Sequence, residues 1–581
     1  MEYLRKNRQT TTMIKRNKPF FLALALMASA PLYTIAQPDS LMSDSTVKVA
    51  PHDWHQLDWA TTGYYGISLN NACDFLKDKK SKTVIVAVID SGIDTLQEDL
   101  KPVLWHNPGE IPGNSIDDDH NGYVDDIYGW NFIGGKDGAN VHKDSYEGAR
   151  VYWKLKERYG DTVPDTTKMN AAEKKEYATY LRAKGDVVKD YDPVEFLQYQ
   201  RIVPVLEKGD SIIAAELGKP DFNGNDLQNY KPTDPSARIA ASINLEMAKG
   251  NNAFDISNKE FLDFFKGKLR KGQAALTPPE NYRNDIVKDN PDDINDRYYG
   301  NNDVMAGTPV HGTHCSGIIG AVRNNGLGMN GIADNVKIMM IRAVPDGDEH
   351  DKDIANAIRY AVDNGAQVIS MSFGKGYSPQ KQWVDDAVKY AQSKDVLLVH
   401  AAGNDANDID TAQNYPNPVY LDHSGEAKNF ITVGASGDAT NGGFTAKFSN
   451  YGIKSVDVFA PGVNIYSTLP GGDKYGNLSG TSMAAPVVAG LAALVREYFP
   501  DLSAEQVKYV IEKSVRPVAE KVKLPGTDDL VNLADISITG GEVNALNAVK
   551  LASTLKGEKD NNIQKGDHKK NKKEKRRKRR A

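Results

Sequence analysis

Seven β-branched or small residues in succession, positions 83–89, run without polar alternation into Asp90-Ser91-Gly92. Such a run has no polar face to offer water. It therefore belongs in a strand buried on both sides, the mark of a parallel sheet covered by helices. Comparable runs occupy 336–344, 367–372, 396–402, 429–435 and 456–460, with helical periodicity over 354–364 and 383–393 between them. This alternation predicts an α/β fold built on a doubly wound, mostly parallel sheet. Active sites in such sheets form at the carboxyl ends of the strands. That directs attention to Asp90, to Ser372-Phe373-Gly374 and to Gly403-Asn404, each of which closes an apolar run. A carboxylate at such a strand end must be paired, ligating or catalytic, because unpaired burial is costly.

Two further stretches carry chemistry. Gly480-Thr481-Ser482-Met483-Ala484-Ala485-Pro486 leads into a small, apolar run at 487–494 with the spacing of a buried helix. Thr481-Ser482 reads as the N-cap of a core helix. The other reading is a nucleophile placed beside unpaired backbone N–H groups that can receive an oxyanion. His311-Gly312-Thr313-His314-Cys315-Ser316-Gly317 has small residues at 312, 316, 317 and 320, which let a helix pack closely on the sheet. A histidine at the start of that helix is disfavoured as imidazolium, which suits a general base. A structural histidine fits as well. Metal binding by His311 and His314 is poorly served by i,i+3 spacing without a nearby carboxylate.

Taken together, Asp90-Ser-Gly, His311-Gly-Thr-His, Ala402-Gly-Asn404 and Gly480-Thr-Ser482-Met-Ala-Ala-Pro resemble, in that order, the signature blocks of the subtilisin-like serine proteases. The resemblance covers 83–135 and 301–550. It implies a subtilisin-type fold and a triad of Asp90, His311 and Ser482, with Asn404 as oxyanion donor and Ser372, Phe373 and Gly374 lining the substrate pocket. His314-Cys315 is similar to the proteinase K-like variant of the histidine block, which places the thiol under the catalytic ring as neither nucleophile nor disulfide partner. Residues 322–329 resemble the calcium loop of subtilisins, implying Asn325 and the carbonyls of Val322, Leu327 and Met329 as ligands, with Asp99. No catalytic metal is implied. Three departures stand out. Gln97 replaces the histidine usual shortly after the catalytic Asp. The gap between Asp90 and His311 is far longer than in small bacterial relatives. The span 37–80 is shorter than the family's usual inhibitory propeptide.

That gap holds two features. Asp117, Asp119 and Asn121 place oxygen atoms at alternate positions before Gly122, like the first half of a calcium loop, and Asp125 and Asp126 follow to supply further charge. Tyr128 stands where an EF-hand has its bidentate Glu, so a solvated acidic turn is the other reading. Residues 136–300 then become rich in Lys, Glu, Asp and Tyr, with helical periodicity over 146–159, 171–184, 193–208 and 259–271. They read as an inserted helical subdomain.

The remaining organisation concerns address. Lys15, Arg16 and Lys18 precede an apolar run at 20–30, and small residues lead to a cut after Ala36, which predicts an exported chain with a signal peptide over 1–36. Met13 serves as an alternative start. Residues 37–82 form a lead-in, 83–135 and 301–555 the peptidase domain, 136–300 the insertion and 556–581 a basic tail. Cys73 and Cys315 are the only cysteines, too few for a disulfide scaffold. A net charge of −6 gives no reason to expect nucleic acid. The expectation is a monomeric serine endopeptidase acting on proteins or peptides outside the cell, in the periplasm or at the cell surface. Its tail is free to contact an anionic envelope surface. A narrow-specificity processing protease gated by the insertion, or an inactive binding relative, are the alternatives.

Overall fold

In the computed structural model the residues described are 50–559, apart from 161–162, 190, 220, 251–253, 255, 308 and 439–442. The expected signal segment 1–36 and the part of the basic tail beyond 559 lie outside the described residues.

After a helix α1 (Leu69–Leu76), the first apolar run forms β1 (Val84–Asp90), and β2 (Gly129–Asn131) precedes the insertion. The insertion contributes α2 (Glu147–Tyr159), α3 (Ala171–Lys184), α4 (Pro193–Leu217), α5 (Pro235–Gly250) and α6 (Asn258–Gln273). The chain returns through α7 (Val310–Gly320), β3 (Val336–Arg342), α8 (Asp351–Asp363), β4 (Val368–Met371), α9 (Lys381–Ser393), β5 (Leu397–Ala401), β6 (Phe430–Ser436) and β7 (Val458–Pro461). A hairpin of β8 (Ile465–Leu469) and β9 (Lys474–Leu478) leads into α10 (Thr481–Tyr498) and α11 (Ala504–Lys513). Short strands β10 (Arg516–Pro517), β11 (Val522–Lys523), β12 (Leu530–Val531) and β13 (Gly541–Glu542), then α12 (Ala545–Ala552), close the fold.

Among the described residues the main sheet has nine strands in the order β10-β13-β7-β6-β5-β4-β1-β3-β2. Every pairing is parallel except β10 with β13. Side chains of β1 alternate between two cores. Val84, Val86 and Val88 pack with Ile318 and Ile319 of α7 and Val487 and Leu491 of α10. Ala87 and Ile89 pack with Ile354 and Ile358 of α8 and Val384 and Val388 of α9. Both faces are covered, so alternation survives in space but disappears from the sequence. Each fully buried Val or Ile contributes about 1.5–3 kcal/mol. The lead-in also packs on this body: Trp54 is 1% exposed, and the Ile67 carbonyl accepts from Ala545 N–H at 2.7 Å.

The insertion has its own cores. Tyr152, Tyr159, Tyr177 and Tyr180 join α2 to α3, while Tyr199, Val203, Leu206, Ile213 and Phe265 join α4 and α6. Two differences from the sequence reading have simple causes. The helix predicted to end at 208 continues to Leu217 despite Pro204, because Ile213 extends the buried stripe until Gly218 turns left-handed at φ 67°. The helix α5 was not predicted, since Asp234-Pro235 reads as a turn. In the fold, Asp234 caps it by accepting from Ser236 and Ala237 N–H at 2.7 and 3.2 Å. The two ends of the insertion meet beside β2. Asn131 and Asn301, 170 positions apart, exchange backbone hydrogen bonds of 2.9 and 3.1 Å.

Candidate active site

Asp90 ends β1 and His311 opens α7, so the sheet edge brings them together although 221 positions separate them. The imidazole Nδ1 donates to Asp90 Oδ1 at 2.7 Å. Asp90 is 2% exposed, whereas the His311 side chain is 37% exposed. The approach depends on Gly312. A Cβ there would lie 2.1 Å from the Gly92 carbonyl and 3.1 Å from Asp90 Cβ. Burial, the largest influence, favours the neutral ring, but the adjacent Asp90 carboxylate outweighs it and holds the His311 pKa well above 6.5. The Asp90 carboxylate thus opposes the preference for a neutral ring expected at a helix start. With the neutral ring as the base that the resemblance implies, activity is expected to be lost as pH falls through the raised pKa. The acid limb of kcat/KM is accordingly expected above pH 6.5, measurable on a peptide substrate across pH 5–9.

Ser482 is the second residue of α10, and Gly480, not Thr481 or Ser482, occupies the cap position without a side-chain capping bond. The capping reading of Thr481-Ser482 is therefore set aside. Pro486, four residues on, has no N–H to return to the Ser482 carbonyl. That carbonyl accepts instead from Ser372 Oγ at 2.9 Å and from Cys315 Sγ at 3.3 Å. The Ser482 hydroxyl donates back to the Ser372 carbonyl at 3.1 Å. Strand β4 and helix α10 are thus laced together at Ser482. Cys315 lies with Sγ 3.9 Å from His311 Nδ1, buried and not disulfide-bonded. Burial pushes its thiol up, which keeps it protonated.

Asn404 follows β5. Its Oδ1 accepts from the Thr481 backbone N–H and from Thr481 Oγ1, both at 2.9 Å. A backbone N–H can only donate, so the amide oxygen must face Thr481 and the NH2 group must face away from it. That NH2 group and the Ser482 N–H flank one point, each 3.5 Å from where a Cβ on Gly480 would stand. Thr481 is fully buried and its hydroxyl also accepts from Gly403 N–H at 3.0 Å. Sequence reasoning assigned Thr481 at most a capping role. The signal was present only as the block that contains it.

Ser372, Phe373 and Gly374 follow β4 and border the site, with Ser372 touching Ser482 directly. The Phe373 carbonyl accepts from His400 Nε2 at 2.7 Å, and burial lowers the His400 pKa to about 4. His314 is fully buried on Gly476 O at 3.1 Å, its pKa lowered by burial to about 3. It is a structural histidine.

The oxygen-rich segments divide. Around 322–329, Asp99 is fully buried and its carboxylate accepts from Asn325 Nδ2 at 2.5 Å, Tyr475 OH at 3.0 Å and Met329 N–H at 3.4 Å. Asn325 Oδ1 faces the Leu327 N–H at 2.9 Å. The fold joins Asp99 to this loop, but protein donors occupy the carboxylate and the amide oxygen points away from it. Gln97, standing where the family has histidine, accepts from Asp99 N–H at 2.7 Å. In the acidic turn, Asp119 converges with Glu110 and Asp126 to within 4.8 Å. Asp117 instead accepts from the Asn121 and Gly122 N–H groups, and Asp125 from those of Gly113 and Ser115. Asn121 contributes its NH2 group to Asp119 and Asp126, at 3.1 and 3.2 Å. Sequence spacing selected Asp117 and Asp125, but the turn uses both to hold its own backbone. Glu110 escaped notice because it precedes the acidic stretch.

Comparison with known proteins follows the same outline. A model of the subtilase family matches residues 81–533. Thermitase of Thermoactinomyces vulgaris is 40% identical over 218 residues, 37% of this chain and 70% of that protein. A thermophilic serine proteinase of Bacillus sp. (strain AK1) is 38% identical over 240 residues, 41% of this chain and 52% of that one. The cell wall-associated protease of Bacillus subtilis (strain 168) is 35% identical over 239 residues, 41% of this chain and 25% of that protein. The chain thus spans about half of the Bacillus sp. proteinase and a quarter of the cell wall-associated one.

Proposed function

The chain belongs to the subtilase family, and from that membership we propose that it is an exported serine endopeptidase working through an acyl-enzyme. The observation that carries the reading is the 2.7 Å contact between His311 Nδ1 and Asp90. It fixes the ring tautomer so that Nε2 is left to accept a proton. In the proposed reaction the Ser482 hydroxyl leaves the Ser372 carbonyl and transfers its proton to His311 as Oγ attacks the peptide carbonyl. The oxyanion is received by the Asn404 NH2 group and the Ser482 N–H. His311 then protonates the leaving amine, and water repeats the sequence to release the acid. Export is supported by the basic and apolar pattern of 1–36 and by the cell wall-associated relative. Among the described residues no helix is long and apolar enough to cross a membrane. An organofluorophosphonate should label the wild-type protein on the peptide containing Ser482 and stop digestion of a denatured protein. Digestion that continues in the fully labelled enzyme would overturn the serine mechanism.

Narrow specificity is favoured by one observation. Phe261 of α6 packs in a cluster with Leu469, Leu478 and Val310, the residue before His311. The insertion therefore packs against the residue next to His311 and is placed to restrict what enters.

A structural divalent cation, calcium by its oxygen donors, is assigned here to Glu110, Asp119 and Asp126. Burial, reinforced by Asp119, pushes Asp126 up to about 7 against the hydrogen bonds of Tyr360, Asn107 and Asn121. A cation would relieve that crowding. A ligand at a hundredfold excess over its Kd stabilises by about 2.7 kcal/mol, so a chelator should lower the melting temperature by several degrees. Asp119→Asn should remove that sensitivity. Identical melting of the wild type with and without chelator would exclude the ion.

A further inference from the structure

Two backbone segments leave the catalytic groups on opposite sides. Residues 343–349 follow β3, starting where Ala343 and Val344 donate to the Asp90 carbonyl at 3.0 and 3.2 Å. Residues 372–375 follow β4, starting at the Ser372 contacts with Ser482. Since β3 and β4 flank β1, these segments border the catalytic groups as two walls, and in the reading proposed above an extended peptide lies between them. One side chain spans them. Lys375 Nζ donates to the Glu349 carbonyl at 2.8 Å and is 2% exposed, paired at 2.9 Å with both Asp351 and Glu147.

Glu147 comes from the insertion, 228 positions before Lys375. It opens α2, where its N–H donates to Asp348 Oδ2 at 2.8 Å. One turn on, Arg150 donates to the Asp348 and Glu349 carbonyls, both at 3.1 Å, and pairs with Glu147 at 2.7 Å. The first wall is also paired outward as a strand: Asp346 accepts from Asp144 N–H at 2.8 Å and donates to His142 O at 2.9 Å. The start of the insertion therefore grips both walls, one through backbone and Arg150, the other through Glu147 and Lys375. Against a burial effect of opposite sign, Lys375 and Arg150 hold the Glu147 carboxyl well below its usual range, so it stays ionised.

We propose that the insertion is a brace for the substrate groove, with Glu147 as its positioning residue. Resting on the protease reading, this predicts that substrates long enough to lie between the walls depend on Glu147, whereas reaction at Ser482 itself does not. A buried carboxylate facing two cations is strongly sensitive to loss of charge. For Glu147→Gln, which preserves shape, KM for an extended peptide is expected to rise about tenfold with kcat changed less than threefold. Labelling by a small dialkyl fluorophosphonate should keep its wild-type rate. Glu147→Asp should recover part of the KM, which a general loss of packing would not allow. If Glu147→Gln is recovered unfolded, Arg150→Lys gives the same reading through the first wall. An unchanged KM in the folded variant overturns the brace alone. A parallel fall in peptide turnover and small-probe labelling also overturns it, because the defect would then lie at the catalytic groups. Absence of labelling in the wild type overturns the protease reading together with the brace.

Discussion

Replacing Ser482 with alanine is expected to remove peptide cleavage by about a millionfold in kcat, the magnitude that loss of the serine has in subtilisin itself, a member of the same family. The fold should survive the change. The hydroxyl makes one hydrogen bond, to the Ser372 carbonyl, and a single such bond is worth about 1 kcal/mol. The contacts that seat the residue belong to its backbone carbonyl, held by Ser372 and Cys315, and alanine keeps that carbonyl. Circular dichroism and the melting temperature should therefore match the wild type within a few degrees while cleavage and fluorophosphonate labelling vanish together. Cleavage by the alanine variant at anything near the wild-type rate would sink the assignment and point to another nucleophile, with the Cys315 thiol beside His311 the first to test.

Asn404→Leu is the second large effect. It replaces the amide with an apolar group of similar size and removes a donor that acts on the transition state. The expected loss is a hundred- to thousandfold in kcat, about 2.7–4 kcal/mol, again a figure established on subtilisin. KM should move little, because the ground-state carbonyl is not where the donor is aimed. Asn404→Asp sharpens the test. An ionised aspartate still accepts from the Thr481 N–H, so the orienting contact is retained, but it sets negative charge where the oxyanion forms. A variant of either kind with kcat within threefold of wild type would show that Asn404 does not receive the oxyanion.

Much of the catalytic end was legible before the fold was known. A parallel strand buried on both faces must be apolar throughout, so β1, β3 and β5 announced themselves, and what followed their ends pointed to Asp90 and Asn404. His311 and Ser482 were legible as members of blocks, not from local physics. Taken alone, Thr481-Ser482 looks like a cap, and only the fold shows Thr481 turned to Asn404. The acidic turn was read by spacing, yet which carboxylates converge depends on how 110–126 folds back on itself. That brought in Glu110 and diverted Asp117 and Asp125 to backbone. The bond from Glu147 to Lys375 leaves no local pattern at all, since neither residue's neighbours hint at the other.

The meeting of Asn131 with Asn301 has a consequence for how the molecule assembles. Strand β1 finds β3 across a separation such as that of Thr83 and Asn335, 252 positions, and contacts this distant in sequence form slowly. Closing so long a loop costs only a logarithmic entropy penalty, so the finished fold tolerates the excursion well. What the excursion changes is timing. Asp90 cannot orient His311 until the chain between them has been made and its two ends have met. Until then Ser482 and His311 have no aligned partner. Alignment of the site is accordingly expected to come late in folding, after these most distant contacts have formed.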